Sequence, residues 1–198
     1  MVTSSRNVAV GKPDLAVSGG LLVAPLGTPR PTSHTDAFDA AYVSAGYLST
    51  DGVTESSERA TEVIRAWGGD KVRTVQTEYG TTLSLTLIES RRAEALRLVF
   101  GDDNVDVAST PGTVTVKRNS KVLPHRQFII AMLDGEESSH LDIGYGQVTE
   151  VGDITYVDGE AISYELTISC DPDENGDTLL ERKAADVDDD GEDAEGNA

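Results

Sequence analysis

The sequence predicts a mainly β protein: a sandwich or barrel-like pair of antiparallel sheets with one flanking α-helix at about residues 90–100. Three observations carry that expectation. From Thr81 to Glu89, Leu83, Leu85 and Leu87 alternate with Thr82, Ser84 and Thr86, the period of a strand buried on one face. Thr61–Trp67 and Lys71–Tyr79 flank Gly68-Gly69-Asp70, a short glycine-rich loop that reads as a hairpin. The period then lengthens. Ala93, Leu96, Val99 and Phe100 fall at helical spacing, and Gly101 stands where a helix commonly ends.

The remaining elements follow in order. Met1 to Pro13 is polar and irregular and reads as an arm. Gly19-Gly20 turns into a short apolar strand, Leu21 to Leu26, which Pro25 ends or places at an edge. Three prolines keep Gly27 to Thr35 irregular. Phe38, Ala41 and Tyr42 suggest one or two helical turns over Asp36–Ser44, with Asp36 as N-cap. Asp51-Gly52 reads as a turn pair and Gly101–Asn104 as a loop. Thr113–Lys117 reads as a strand, and Phe128–Leu133 as a fully buried strand or a short helix, its length and Ile-Ile pair favouring strand. Asp134-Gly135 is a turn. His140–Val151 and Ile154–Val157 are glycine-interrupted runs, and Glu160–Ser169 alternates cleanly. The resulting division is an N-terminal arm at 1–18, a β domain at 19–170 and an acidic tail at 171–198. The tail is expected to be disordered at least from Ala184.

Composition limits the function. The 198 residues suffice for one domain. Apolar residues make up 38% and aromatics only 5%, a lean supply that leaves room for burial against neighbouring subunits. The formal charge is −19, and residues 171–198, with twelve acids and two bases, carry −10 of it. Such a chain lacks the cations that nucleic-acid and anionic-membrane binding require. A single cysteine, Cys170, excludes an internal disulfide framework and is expected to be a buried thiol. No apolar stretch reads as a signal peptide or reaches the ~20 residues of a membrane span. The expectation is a soluble protein with no membrane partner.

No catalytic pattern stands out. His34, His125 and His140 sit in unlike contexts without zinc-ligand spacing, and read as surface or interface residues. A nucleophile elbow and a phosphate-binding loop are both missing. Asp171–Asp177 resembles the front half of a calcium loop, with Gly176 sixth, but position twelve is Arg182 where a bidentate glutamate is needed. The expectations are therefore no enzyme, no cofactor and no metal site. For subunit contacts the candidates are Trp67, the only tryptophan, and Arg91 and Arg92 in the first turn of the expected helix.

The order Gly46–Val53 (GYLSTDGV), then Trp67-Gly68-Gly69-Asp70, then Leu83–Glu89 leading into a helix resembles the major tail tube protein of long, non-contractile bacteriophage tails. It is most like versions from phages of actinobacteria, and a looser likeness runs from about Gly19 to Cys170. The resemblance implies a structural virion protein of the tail, made in the host cytoplasm, whose six-membered rings stack into a hollow tube that conducts the genome. Its implied partners are other copies of itself and the tape-measure, tail terminator and distal tail proteins, with DNA passing without specific binding. A lumen wall of negative charge would suit that passage, and Glu165, Asp142 and Glu150 are the lumen-facing candidates. The alternatives are another ring-forming tail part, a terminator or connector, and a calcium- or ligand-binding β module.

Overall fold

A computed structural model describes residues 8–17, 19–108 and 112–184. Among these, nine strands and one helix form: β1 Gly20–Ala24, β2 Val43–Arg65, β3 Lys71–Leu87, α1 Ala93–Phe100, β4 Val105–Ala108, β5 Thr113–Val116, β6 Arg126–Asp134, β7 Glu137–Val151, β8 Tyr164–Cys170 and β9 Leu180–Lys183. Pairing is antiparallel throughout, in the order β6-β1-β2-β3-β8-β7, and β7 pairs back on β6. The sheet therefore closes on itself as a barrel, which leaves no free edge around that circuit. β4 and β5 form a separate small ribbon.

Alternation decides what lies inside. Leu83, Leu85 and Leu87 of β3 meet Leu166 and Ile168 of β8 and Phe128 of β6 in one core, and α1 adds Ala95, Leu96, Leu98 and Val99. The helix begins at Ala93, so Arg91 and Arg92 precede it, with Arg92 as its N-cap residue. The apolar run of β6 is buried on both faces for a tertiary reason. Ile129 points away from the barrel, where Leu22, Ala24 and Tyr42 cover it and Phe38 packs alongside.

The segment covering that outer face is not the helix expected at Asp36–Ser44. The Asp36 carboxylate accepts backward instead, from the Thr32 and Ser33 amides at 2.8 and 2.9 Å and from the Thr32 hydroxyl at 2.7 Å. This is the local competition by which an aspartate closes a loop. Asp51-Gly52 also does not reverse the chain. It lies in a bulge between Leu48 and Val53, and β2 continues to Arg65. Residues 154–157 form no strand.

β7 is one strand of 15 residues despite its glycines. It pairs with β6 up to Gly146 and with β8 from Gly146 onward. At this corner a Cβ on Gly146 would lie 2.8 Å from the Phe128 ring, and one on Gly144 2.5 Å from the Arg30 guanidinium. Both are close approaches that only glycine permits.

Both ends of the described chain pack on the barrel. The Asp14 amide donates to the Ala131 carbonyl and the Leu133 amide to that of Lys12. β9 lies on β7 at Ser139–Asp142, so ordered packing continues past Cys170 into the acidic segment. Residues 185–198, where disorder is expected, lie outside the described residues, as do residues 1–7 of the arm. Cys170 is buried, and burial raises its thiol pKa to about 12, which keeps it protonated.

Candidate assembly surfaces

β2 and β3 extend far beyond the barrel. From Ser56 to Gly80 every described side chain is exposed except Val63 and Val75, which are half-buried. The register is kept to the end, through Glu58↔Gly80, Val63↔Thr74 and Arg65↔Lys71. The result is a two-stranded arm roughly 30 Å long from Ser56 to Arg65, taking about 3.3 Å per residue. Its base is held by hydroxyls. Buried Thr81 contacts the Tyr79, Ser57 and Thr178 oxygens at 3.2–3.3 Å, and Arg59 lies over the Tyr79 ring at 4.6 Å. The arm turns at Gly68 and Gly69, whose φ of 114° and 96° suit glycine. Trp67 sits in that turn at 107% relative exposure, so packing in its own core is excluded. Residues 56–80 hold four acids and four bases and are neutral in a chain of charge −19.

A second surface lies on the outside of β2, β3, β8 and β7. Cross-strand partners share a face, and the register groups Thr54 with Ser84, Ser56 with Thr82, Thr86 with Glu165, Ser84 with Thr167, and Thr167 with Glu150. This face is built of hydroxyls and carboxylates. Glu150 and Glu165 both lie on it and are exposed.

Asp142 does not join them. It is 0% exposed and is gripped from two sides. Arg30 Nε donates to both its oxygens at 3.0 and 2.9 Å, and Arg182 Nη1 donates to Oδ2 at 2.8 Å. A carboxylate enclosed by two guanidinium groups inside its own chain presents no charge to a lumen, so Asp142 is removed from the lumen candidates. Its place is a staple. Arg30 comes from the proline loop and Arg182 from β9, and Arg30 Nη1 also reaches Asp173 at 2.7 Å. Burial would raise the Asp173 pKa, but the Arg30 hydrogen bond and the Asn175 and Asp177 amides hold it below its ordinary value. The Asp171–Asp177 segment is thus a turn closed on Asp173. Among the described residues no three His, Cys, Asp or Glu side chains are placed to hold a metal ion.

The two helix-proximal arginines separate. Arg92 is engaged within the chain, with Nε to the Ser44 carbonyl at 3.0 Å and Nη1 to Glu89 at 3.2 Å. Arg91 is exposed. His125 pairs with Asp171 at 3.1 Å and stacks on Tyr145. His140 is not a surface residue, being 1% exposed. Arg30 carried no sequence signal, because its partner lies 112 positions away.

Among solved structures the chain is similar to the cap of the anti-feeding prophage (the tube-terminating cap), at 10% identity and a TM-score of 0.45, over 93% of this chain and 100% of that one. It is also similar to a chain of the PVC sheath–tube complex, an extracellular contractile injection system in the extended state. There the identity is 10% and the TM-score 0.43, over 92% and 100% of the two chains. No curated protein sequence matches. A family profile described as phage tail tube protein matches residues 14–182. On that match across nearly all of the described chain, the protein belongs to the phage tail tube family and is a structural component of the virion tail.

Proposed function

We propose that this chain is the repeating subunit of the tail tube: six copies close a ring, and stacked rings form the conduit through which the genome leaves the particle. The observation that carries this reading is the arm from Ser56 to Gly80. A two-stranded ribbon with both faces in solvent is marginal by itself, and an unburied tryptophan at its tip is an interface residue awaiting a partner. An arm of one copy on the body of another is a head-to-tail contact, the kind that closes rings or extends filaments.

The hydroxyl and carboxylate face supports the passage of DNA. Glu150 and Glu165 are its lumen-facing acids in this reading, and they repel phosphate so that DNA slides without binding. The neutral arm avoids the repulsion that copies of a −19 chain otherwise meet. Arg91, free of the ion pair that occupies Arg92, is a further contact to an acidic neighbour. Assembly takes place in the host cytoplasm with a tape-measure protein, a tail terminator and a distal tail protein as partners.

Negative-stain imaging of the purified chain tests this, with six-membered rings or tubes as the expected outcome. A chain that stays monomeric at high concentration and contributes no ring to assembled particles contradicts it. Copy number separates a tube subunit from a terminator or connector. Many rings of this chain per particle fit the first, and a single ring fits the second.

A further inference from the structure

We propose that the cavity between the loop 34–42 and strands β6 and β7 is the receptor for Trp67 of a second copy of this chain. The inference rests on the self-assembly reading above and adds the site at which the arm docks. The cavity has a volume of about 450 Å³, and Phe38, Tyr42, Ala131, Met132 and His140 are among its walls. An indole buries some 150–250 Å² and seeks one hydrogen-bond acceptor for its N–H.

His140, one wall of the cavity, becomes that acceptor when docking parts the side chains that cover it. Its Nε2 is closed off from solvent and has no hydrogen-bond partner among the described residues, an unmet group that costs stability when left so. Phe38 stands edge-on to the imidazole at 5.5 Å between centroids and offers the aromatic wall against which an indole packs. Burial and the nearby Arg182 lower the His140 pKa, so the ring is neutral at pH 7. With its proton on Nδ1, Nε2 accepts.

Charge agrees with shape. Exposed Asp36 and Asp39 stand at the cavity, and hydrogen bonds from Thr32 and Ser33 hold Asp36 below its ordinary pKa. The end of the arm that carries Trp67 holds Arg65, Lys71 and Arg73 against one acid, Asp70, and is locally basic. Among the described residues the Arg65 guanidinium donates to the Gly69 carbonyl of its own turn, at 3.0 Å. Acids rim the receptor, and the tip that enters it is basic on balance.

The test places a benzoylphenylalanine photo-crosslinker at position 67. That chain is mixed as a minority, isotopically distinct, into unaltered full-length chain, so that native copies carry it into assemblies. After irradiation, crosslinks between copies to peptides spanning 34–42 or 131–140 are the expected result. Crosslinks from assembled rings to any other surface overturn the docking site and leave the tube reading standing. Failure of the unaltered chain to assemble overturns both. An independent readout uses the sole tryptophan. Its emission shifts to the blue and its quenching by acrylamide falls on assembly, whereas water-exposed emission in assembled rings overturns the proposal.

Discussion

The same two strands live in two environments. Near the barrel, β3 runs Thr81–Leu87 with every second residue buried; farther out, Lys71–Gly80 is in solvent on both faces. The hydrogen-bonded register with β2 continues through both halves. What changes is the side-chain pattern. Leucine against hydroxyl supplies one apolar face, while Lys71-Val72-Arg73-Thr74-Val75-Gln76 supplies none. Backbone pairing alone therefore carries a ribbon outward, but only alternation anchors it to a core. The body holds the chain's stability, and in the proposed function the arm is what joins copies.

Substitutions can sharpen that contrast. The largest loss of stability is expected from Asp142→Ala, which leaves Arg30 and Arg182 facing each other without their shared anion. Removal of one partner from a buried ion pair costs about 3–5 kcal/mol, readable by chemical denaturation. Loss of the Arg182 contact also frees β9, so amide exchange at Leu180–Lys183 should rise with it. Next, Leu83→Ala in the body is expected to cost about 2–5 kcal/mol as a cavity in a closed core. Val72→Ala, at an exposed position of the same strand, stays within about 0.5 kcal/mol. Equal losses at the two positions would break the division between body and arm.

Acid provides a third test. His140 has its pKa lowered from 6.5, first by burial and then by Arg182 and His34, with Asp142 and Asp36 opposing. A base with a depressed folded pKa binds protons more readily when unfolded, so stability falls as pH drops from about 6.5 toward the folded value. The melting temperature of the unassembled chain is expected to decline from pH 7 to 5, and more weakly in His140→Gln. Asp36 and Asp173, with lowered pKa values from an ordinary 3.8, add a second loss only below that range. The smallest effect on folding is expected at Trp67→Ala, within about 0.5 kcal/mol because the side chain is fully exposed. The same variant should lose ring formation, so its two readouts separate folding from assembly.

Much of the fold is legible locally. The leucine alternation of β3, the glycine turn at 68–69 and the helical spacing of Ala93–Phe100 each lie within a few residues, the range over which period reports structure. Asp36 misled because an aspartate before an apolar residue can cap a helix or close a loop, and the two differ only in which amides it meets. The glycines of β7 suggested interruption because a close approach by Arg30 or Phe128 leaves no trace in the sequence.

The sequence by itself determined the fold class, the hairpin, the helix and the excess of negative charge, since each is a property of neighbouring residues or of their sum. Only the tertiary structure decided which acids are free. Asp142 stands in a glycine-broken run and Glu165 in a cleanly alternating one, and both read as lumen candidates, yet one is enclosed between Arg30 and Arg182 and the other shares an open hydroxyl face. That difference is set by which strands pair and in what register, and register is fixed by burial over the whole barrel. The extent of the arm followed in the same way, because the point at which two paired strands leave the core depends on where the other strands end.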